Sequence, residues 1–199
     1  MRSKPLHLFQ SPVLKLHCVQ VCVGVIDGYL FVYLDAIGAP VLLLGACLTV
    51  VCAVELPVFL HSGRIIACLG YQGSLRTALG AFCLRLAAYG AIARAPSLWL
   101  VVPVETLHAV TFGIAWTAGV NFCKHEAPPG LQGSAQSLFV SVYFGLGRGI
   151  GGLTGGLAYD FYGGAVLFQA SLAVVLLLWA LLSVAEGLQA CRRGARGVT

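Results

Sequence analysis

The sequence predicts an all-α membrane protein built on six transmembrane helices, and three observations carry that expectation. Of its 199 residues, 59% are hydrophobic and 10% are charged, whereas a soluble domain averages about 45–50% apolar and about 25% charged. That is too little charge to cover a water-exposed surface of this size. Six apolar runs follow one another along the chain, each close to the roughly 20 residues with which a helix crosses a bilayer core. None of the runs alternates with a period of two, which argues against a membrane β-barrel. Helices then remain as the structure that satisfies its own backbone in lipid. The 25 glycines fit the same class, because glycine is commoner in membrane helices than in soluble ones.

The runs cover residues 16–34, 40–60, 74–92, 98–121, 135–159 and 165–184. The first follows a basic stretch and resembles a signal peptide at its start. It is too long for a signal sequence, contains Asp27 and is followed by no small-residue cleavage site, so it reads as a span. Short links, "DAIGAP", "RAPS" and "YDFYGG", join spans 1–2, 3–4 and 5–6. Longer ones, "HSGRIIACLGYQG" and "CKHEAPPGLQGS", join spans 2–3 and 4–5. Arg2, Lys4, Lys15, Arg64, Arg76, Lys124, Arg192, Arg193 and Arg196 all fall on the side of the longer links, with Arg94 on the other. The positive-inside rule places both termini in the cytoplasm. The expected organisation is a cytoplasmic segment 1–12, a bundle 13–188 and a basic tail 189–199. The net charge of +5 reads as membrane topology; no basic patch interleaved with aromatics points to nucleic acid.

Eight cysteines include no C-x-x-C pair. Neither a disulfide framework nor a metal site is expected, and Cys18 and Cys22, on one helix face, read as packing. No cofactor is implied.

The residues that do not belong in lipid are Asp27 in span 1, Glu55 in span 2, Arg85 in span 3, Glu105 and His108 in span 4, and Arg148 in span 5. A charge at the bilayer centre costs roughly 2.5–3.5 kcal/mol on insertion scales, so these groups must pair, neutralise or face water. Counted at about 1.5 Å per residue, Asp27, Arg85, His108 and Arg148 lie near mid-bilayer, Glu105 one turn outward of His108, and Glu55 nearer the cytoplasm. Glu105 and His108, spaced i, i+3, are expected to share a helix face. Three acids against two arginines suit an ion-paired network forming a substrate or ion site. For Glu55 the plainer reading is a side chain that snorkels to the interface, and for the two arginines a role that only fixes helix register. Arg76 snorkels and is left out of the site.

The stretch "YFGLGRGIGGLTGG", 143–156, contains G-x-G-x-x-G, the spacing of a dinucleotide-binding loop. That motif needs a preceding strand, a βαβ setting and an acid about twenty residues on, and Asp160 follows Gly152 by only eight. The glycines read instead as two helical stripes, Gly145/Gly149/Gly152/Gly156 and Gly147/Gly151/Gly155, that let membrane helices approach closely. Spans with midplane charges and glycine-broken helices fit half of a secondary transporter, built from two inverted three-helix repeats.

"VELPVFLHSGRII", "ETLHAVTFGIAW", "APPGLQGSAQSL", "YFGLGRGIGG" and "GGLAYDFYG" resemble the carboxy-terminal half of the major facilitator superfamily, in the branch of the domain-containing protein 6 relatives and the lactose-permease-like and nucleoside symporters. The likeness runs over about 13–188. It implies one half of a twelve-helix, alternating-access transporter, with Asp27, Glu55, Arg85 and His108 in the polar network for substrate and proton coupling. The symporters' Lys-x-x-His-x-x-Glu appears as Glu105-Thr-Leu-His108-Ala-Val-Thr111. Sugar specificity therefore does not carry over, and Glu105 is left to supply the coupling carboxylate. The loop "GRIIACLGYQG" keeps Arg64 and glycines and lacks the superfamily's aspartate.

The expected function is thus the carboxy-terminal bundle of a secondary-active solute carrier, with proton-coupled symport as an option and no enzymatic activity. Its partners would be a small-molecule substrate, the proton, the lipid bilayer and a second six-helix bundle, either a missing amino-terminal half or a second copy. The alternative is a non-transporting multi-pass scaffold or receptor, or a truncated, non-functional half-transporter.

Overall fold

The computed structural model describes the backbone of residues 12–196 and the side chains of 20–184 apart from 71, 72, 126 and 182. Among these residues the chain is helical almost throughout and has no strand. Arg2 and Lys4, as well as the side chains of Lys15, Cys18, Arg192, Arg193 and Arg196, lie outside the described part.

Helix α1 spans Pro12–Ala36. Its last carbonyls are taken up by the turn into the next helix: the amides of Ile37, Gly38 and Ala39 donate to Tyr33, Asp35 and Leu34. Helix α2, Val41–Gly70, and α3, Gly73–Arg94, are separated at Gly70, with φ 66° and ψ 174°. Helix α4, Leu98–His125, starts where Ser97 accepts a hydrogen bond from the Trp99 amide at 3.3 Å. Helices α5, 132–162, and α6, 164–196, are parted at Gly163, with φ 77° and ψ 169°. Gly70 and Gly163 occupy a backbone region that is essentially glycine-only. Glycine is what lets each long apolar stretch turn back.

Four stretches among the described residues are long and apolar enough to cross a membrane: Val41–Gly70, Gly73–Arg94, Leu98–His125 and Gln132–Leu181. A straight helix over the last would be about 75 Å long, more than twice a bilayer core; its break at Gly163 resolves the excess. Composition and architecture together make this an integral membrane protein.

Helix α3 is central. Its buried side is Leu75, Ala78, Leu79, Phe82, Arg85, Leu86 and Tyr89, a stripe at spacings of three and four. Phe168 of α6 packs into it, 5.4 Å from the Tyr89 ring and 5.5 Å from that of Tyr33 on α1. Helix α2 is peripheral, with Val41, Leu42, Leu48, Leu56 and Leu60 exposed. In water such a face would be a liability; in a bilayer it is ordinary.

The α1–α5 seam is set by one of the two glycine stripes. A Cβ on Gly147 would overlap Gln20, one on Gly151 would meet Val21 and come within 3.0 Å of the Gly24 Cα, and one on Gly155 would lie 2.9 Å from the Tyr29 ring. Gly145, Gly149 and Gly152 have nothing within 4 Å, and only Gly156 of that stripe meets a neighbour, Tyr29. The stripe at spacing four is the packing surface. Tyr29 fixes its register by donating to the Gly152 carbonyl at 2.6 Å.

Candidate functional site

The six intramembrane charged or titratable residues resolve into three pairs. Arg85 and Glu105, both almost fully buried, form the innermost one, with Nη2 3.2 Å from Oε2. Every nitrogen of the Arg85 guanidinium donates: Nε to the Tyr89 hydroxyl at 2.8 Å, Nη1 to Thr111 Oγ1 at 2.7 Å, and Nη2 to Glu105. Tyr89 in turn donates to Glu105 Oε1, so the carboxylate receives both the arginine and the phenol. Arg85 is held where it is because it lies on the buried stripe of α3, one turn before Tyr89. Desolvation of the two ions is offset only because the remaining hydrogen-bonding capacity is filled as well.

Glu55 of α2 and His108 of α4 form the second pair, Oε1 to Nε2 at 3.0 Å, both half-buried. Glu55 thus has a partner across the α2–α4 contact. Asp27 of α1 and Arg148 of α5 form the third, through Oδ2 and Nη2. The Arg148 guanidinium also lies 4.8 Å from the centre of the Phe144 ring, a favourable placement for a cation. This pair is the most open, its side chains being 29% and 40% exposed.

Glu105 and His108 do not act as one face. Glu105 turns to α3 and His108 to α2, because α4 is not a regular helix here. The amides of Thr106 and Leu107 bond three residues back, to Pro103 and Val104, and a π-helical segment, Ala109–Ile114, follows His108. The tight and wide turns rotate the two side chains toward different neighbours. A second π segment, Ser141–Gly147, ends next to Arg148. π-Bulges are rare and occur frequently at functional sites; here each abuts a charged site residue.

A row of rings joins two of the pairs: His108–Phe112 at 5.6 Å, Phe112–Trp116 at 6.1 Å and Trp116–Phe144 at 5.3 Å, with the Arg148 guanidinium over Phe144. Tyr89, Thr111 and Phe144 were not among the expected site residues. Tyr89 and Phe144 stand four residues from an intramembrane arginine on the same helix, which is the signal that points to them. No group of three or more potential metal ligands occurs among the described residues.

The family model "MFS_1 like family" matches residues 11–170. A "Major facilitator superfamily domain-containing protein 6-like" from Mus musculus is 28% identical over 154 residues, 77% of this chain and 26% of that protein. "Major facilitator superfamily domain-containing protein 6-like protein A" of Xenopus laevis is 27% identical over 77% of this chain and 24% of its own length. "Uncharacterized transporter YwbF" of Bacillus subtilis is 24% identical over 80% of this chain and 37% of that protein. The chain thus spans between about a quarter and two fifths of the length of these three relatives. No solved structure matches the chain.

Proposed function

The chain belongs to the MFS_1 like family, and from that premise we propose that it is the carboxy-terminal six-helix bundle of a secondary-active transporter for a small-molecule solute, working by alternating access against a second bundle. The observation that carries this reading is the fully buried Arg85–Glu105–Tyr89–Thr111 cluster, accompanied by two more open polar pairs within apolar helices. Charged groups inside membrane spans mark substrate or ion pathways by default, and the family supplies the transport context. In this reading Asp27, Glu55, Arg85, Glu105, His108 and Arg148 are the substrate- and ion-responsive groups. Protonation of a carboxylate among them releases its partner and biases inward against outward opening.

Two inverted three-helix repeats fit the backbone. Positive-φ glycines stand at Gly38 and Gly70, 32 positions apart, and at Gly130 and Gly163, 33 apart, one at each link within spans 1–3 and one at each link of spans 4–6. The bundle is 13–188, both termini face the cytoplasm by the distribution of basic residues, and 189–199 is a basic tail.

A second reading, a non-transporting scaffold or half-transporter, draws on Arg85 having every nitrogen satisfied inside the bundle. Untargeted profiling of solutes in cells separates the two. Cells would produce the chain alone, the chain joined to an amino-terminal bundle, or the joined form with Glu105→Gln and His108→Ala. At least one solute accumulates with the joined form and fails to accumulate with the variant. Equal solute content in all three supports the scaffold, and crosslinking of the chain in detergent then tells a self-associating bundle from a monomer.

A further inference from the structure

The three pairs engage the intramembrane charged groups, but they do not use up the hydrogen-bonding groups. Gln20 on α1 is 1% exposed, and neither its Oε1 nor its Nε2 has a partner. Tyr143 on α5 is 2% exposed, and its hydroxyl has none. Arg148 uses Nη2 on Asp27, while its buried Nε has none. These groups belong to one seam. The Gln20 side chain lies over the Cα of Gly147, which stands between Tyr143, one turn earlier, and Arg148, the next residue.

Native proteins satisfy nearly all buried polar groups, and an orphan in such a place is destabilising. Here four orphan atoms belong to three side chains of the α1–α5 seam: an amide that both donates and accepts, a phenol that does the same, and a donor N–H. Aromatic rings surround Tyr143. Tyr143 lies 5.1 Å from the Trp116 ring, 5.2 Å from Phe144 and 5.3 Å from Phe139. Trp116 is half-buried and Phe144 is 36% exposed, so both offer ring surface. A few unpartnered polar groups beside aromatic surface is the make-up of a small-molecule site. The π segment Ser141–Gly147 forms its α5 wall.

We propose that Gln20, Tyr143 and the Arg148 Nε form a hydrogen-bonding subsite for a neutral, planar ring compound that carries a hydroxyl or an amide, with the ring against Trp116 and Phe144. This rests on the solute-transporter reading and narrows its substrate class. Net charge is excluded because Asp27 already neutralises Arg148, so an anion would have to displace a carboxylate whereas a hydroxyl or amide would not.

The test is thermal melting of the 199-residue chain in detergent, followed by light scattering, with nicotinamide, resorcinol and nicotinate as probes. The first two are neutral rings bearing an amide and hydroxyls; the third is the carboxylate counterpart of the first. At concentrations about tenfold above their dissociation constants, nicotinamide or resorcinol raises Tm by about 3–6 °C, and nicotinate by less than a third as much. Gln20→Met and Tyr143→Phe keep shape and remove the orphan atoms. Each melts at or above the wild-type temperature without probe and loses the probe-induced shift. The subsite is overturned by no shift with either neutral probe, by an equal shift with nicotinate, by shifts that persist in both variants, or by variants that melt several degrees lower without probe. Solute accumulation dependent on Glu105 and His108 alongside any of these results removes the subsite and leaves the transporter standing.

Discussion

The Arg85–Glu105 and Asp27–Arg148 pairs have the same chemistry and opposite settings. Arg85 and Glu105 are 2% and 4% exposed and locked by Tyr89 and Thr111, whereas Arg148 and Asp27 are 40% and 29% exposed and lean on one ring, Phe144. A closed pair cannot lose one partner without stranding a buried ion. An open one, partly hydrated, loses its partner at smaller cost. In the proposed transporter the contrast makes the first pair the one whose disruption costs α3–α4 packing most, and the second the one that yields first when something enters the seam between α1 and α5.

The sharpest way to break that contrast is to remove each arginine. Arg85→Met leaves Glu105 uncompensated and costs about 3–5 kcal/mol, read as a fall in detergent melting temperature. Adding Glu105→Gln to it recovers most of the loss, and Arg148→Met alone costs about 1 kcal/mol or less. Equal losses from the two arginines would erase the distinction. A smaller effect tests the seam that carries the open pair. Gly151→Ala puts a Cβ against the Val21 and Gly24 backbone and costs about 1–3 kcal/mol. Gly149→Ala meets open space and is neutral or stabilising by up to about 1 kcal/mol. Gly163→Ala forces alanine into φ 77°, ψ 169° and costs about 1–3 kcal/mol, loosening the α5–α6 turn without touching either pair. The smallest stability effect belongs to Asp27→Asn, within about 1 kcal/mol. In the joined, transporting form it nevertheless removes solute accumulation, since the open pair loses its charge. Full accumulation by Asp27→Asn would move the response to Glu55–His108.

Much of the architecture was legible in the residues. Length and apolarity marked the helical runs, and four stretches among the described residues are long and apolar enough to cross a membrane, because a helix crossing lipid needs about twenty apolar residues whatever its neighbours are. The expected run 74–92 and the helix Gly73–Arg94 differ by one or two residues at each end. The buried stripe of α3, with Arg85 on it, is visible as a spacing of three and four. The glycines of 143–156 were legible as packing residues, but not which stripe would pack, since both have helical periodicity and only the position of α1 selects Gly147, Gly151 and Gly155.

The sequence by itself determined that this chain lives in a membrane, where its helices lie and which side chains are too polar to face lipid. Those properties follow from composition and from spacing along one helix. The tertiary structure alone decided who answers whom: Asp27 to Arg148, 121 positions away, Glu55 to His108, and Glu105 to Arg85 in place of the histidine three residues on. A charge must find a partner in a low-dielectric interior, but its own sequence neighbourhood does not say which one. The turn at Thr106–Leu107 and the π segments after His108 and before Arg148 set the rotation of each side chain, and rotation about a helix axis becomes a partner only when the neighbouring helices are in place.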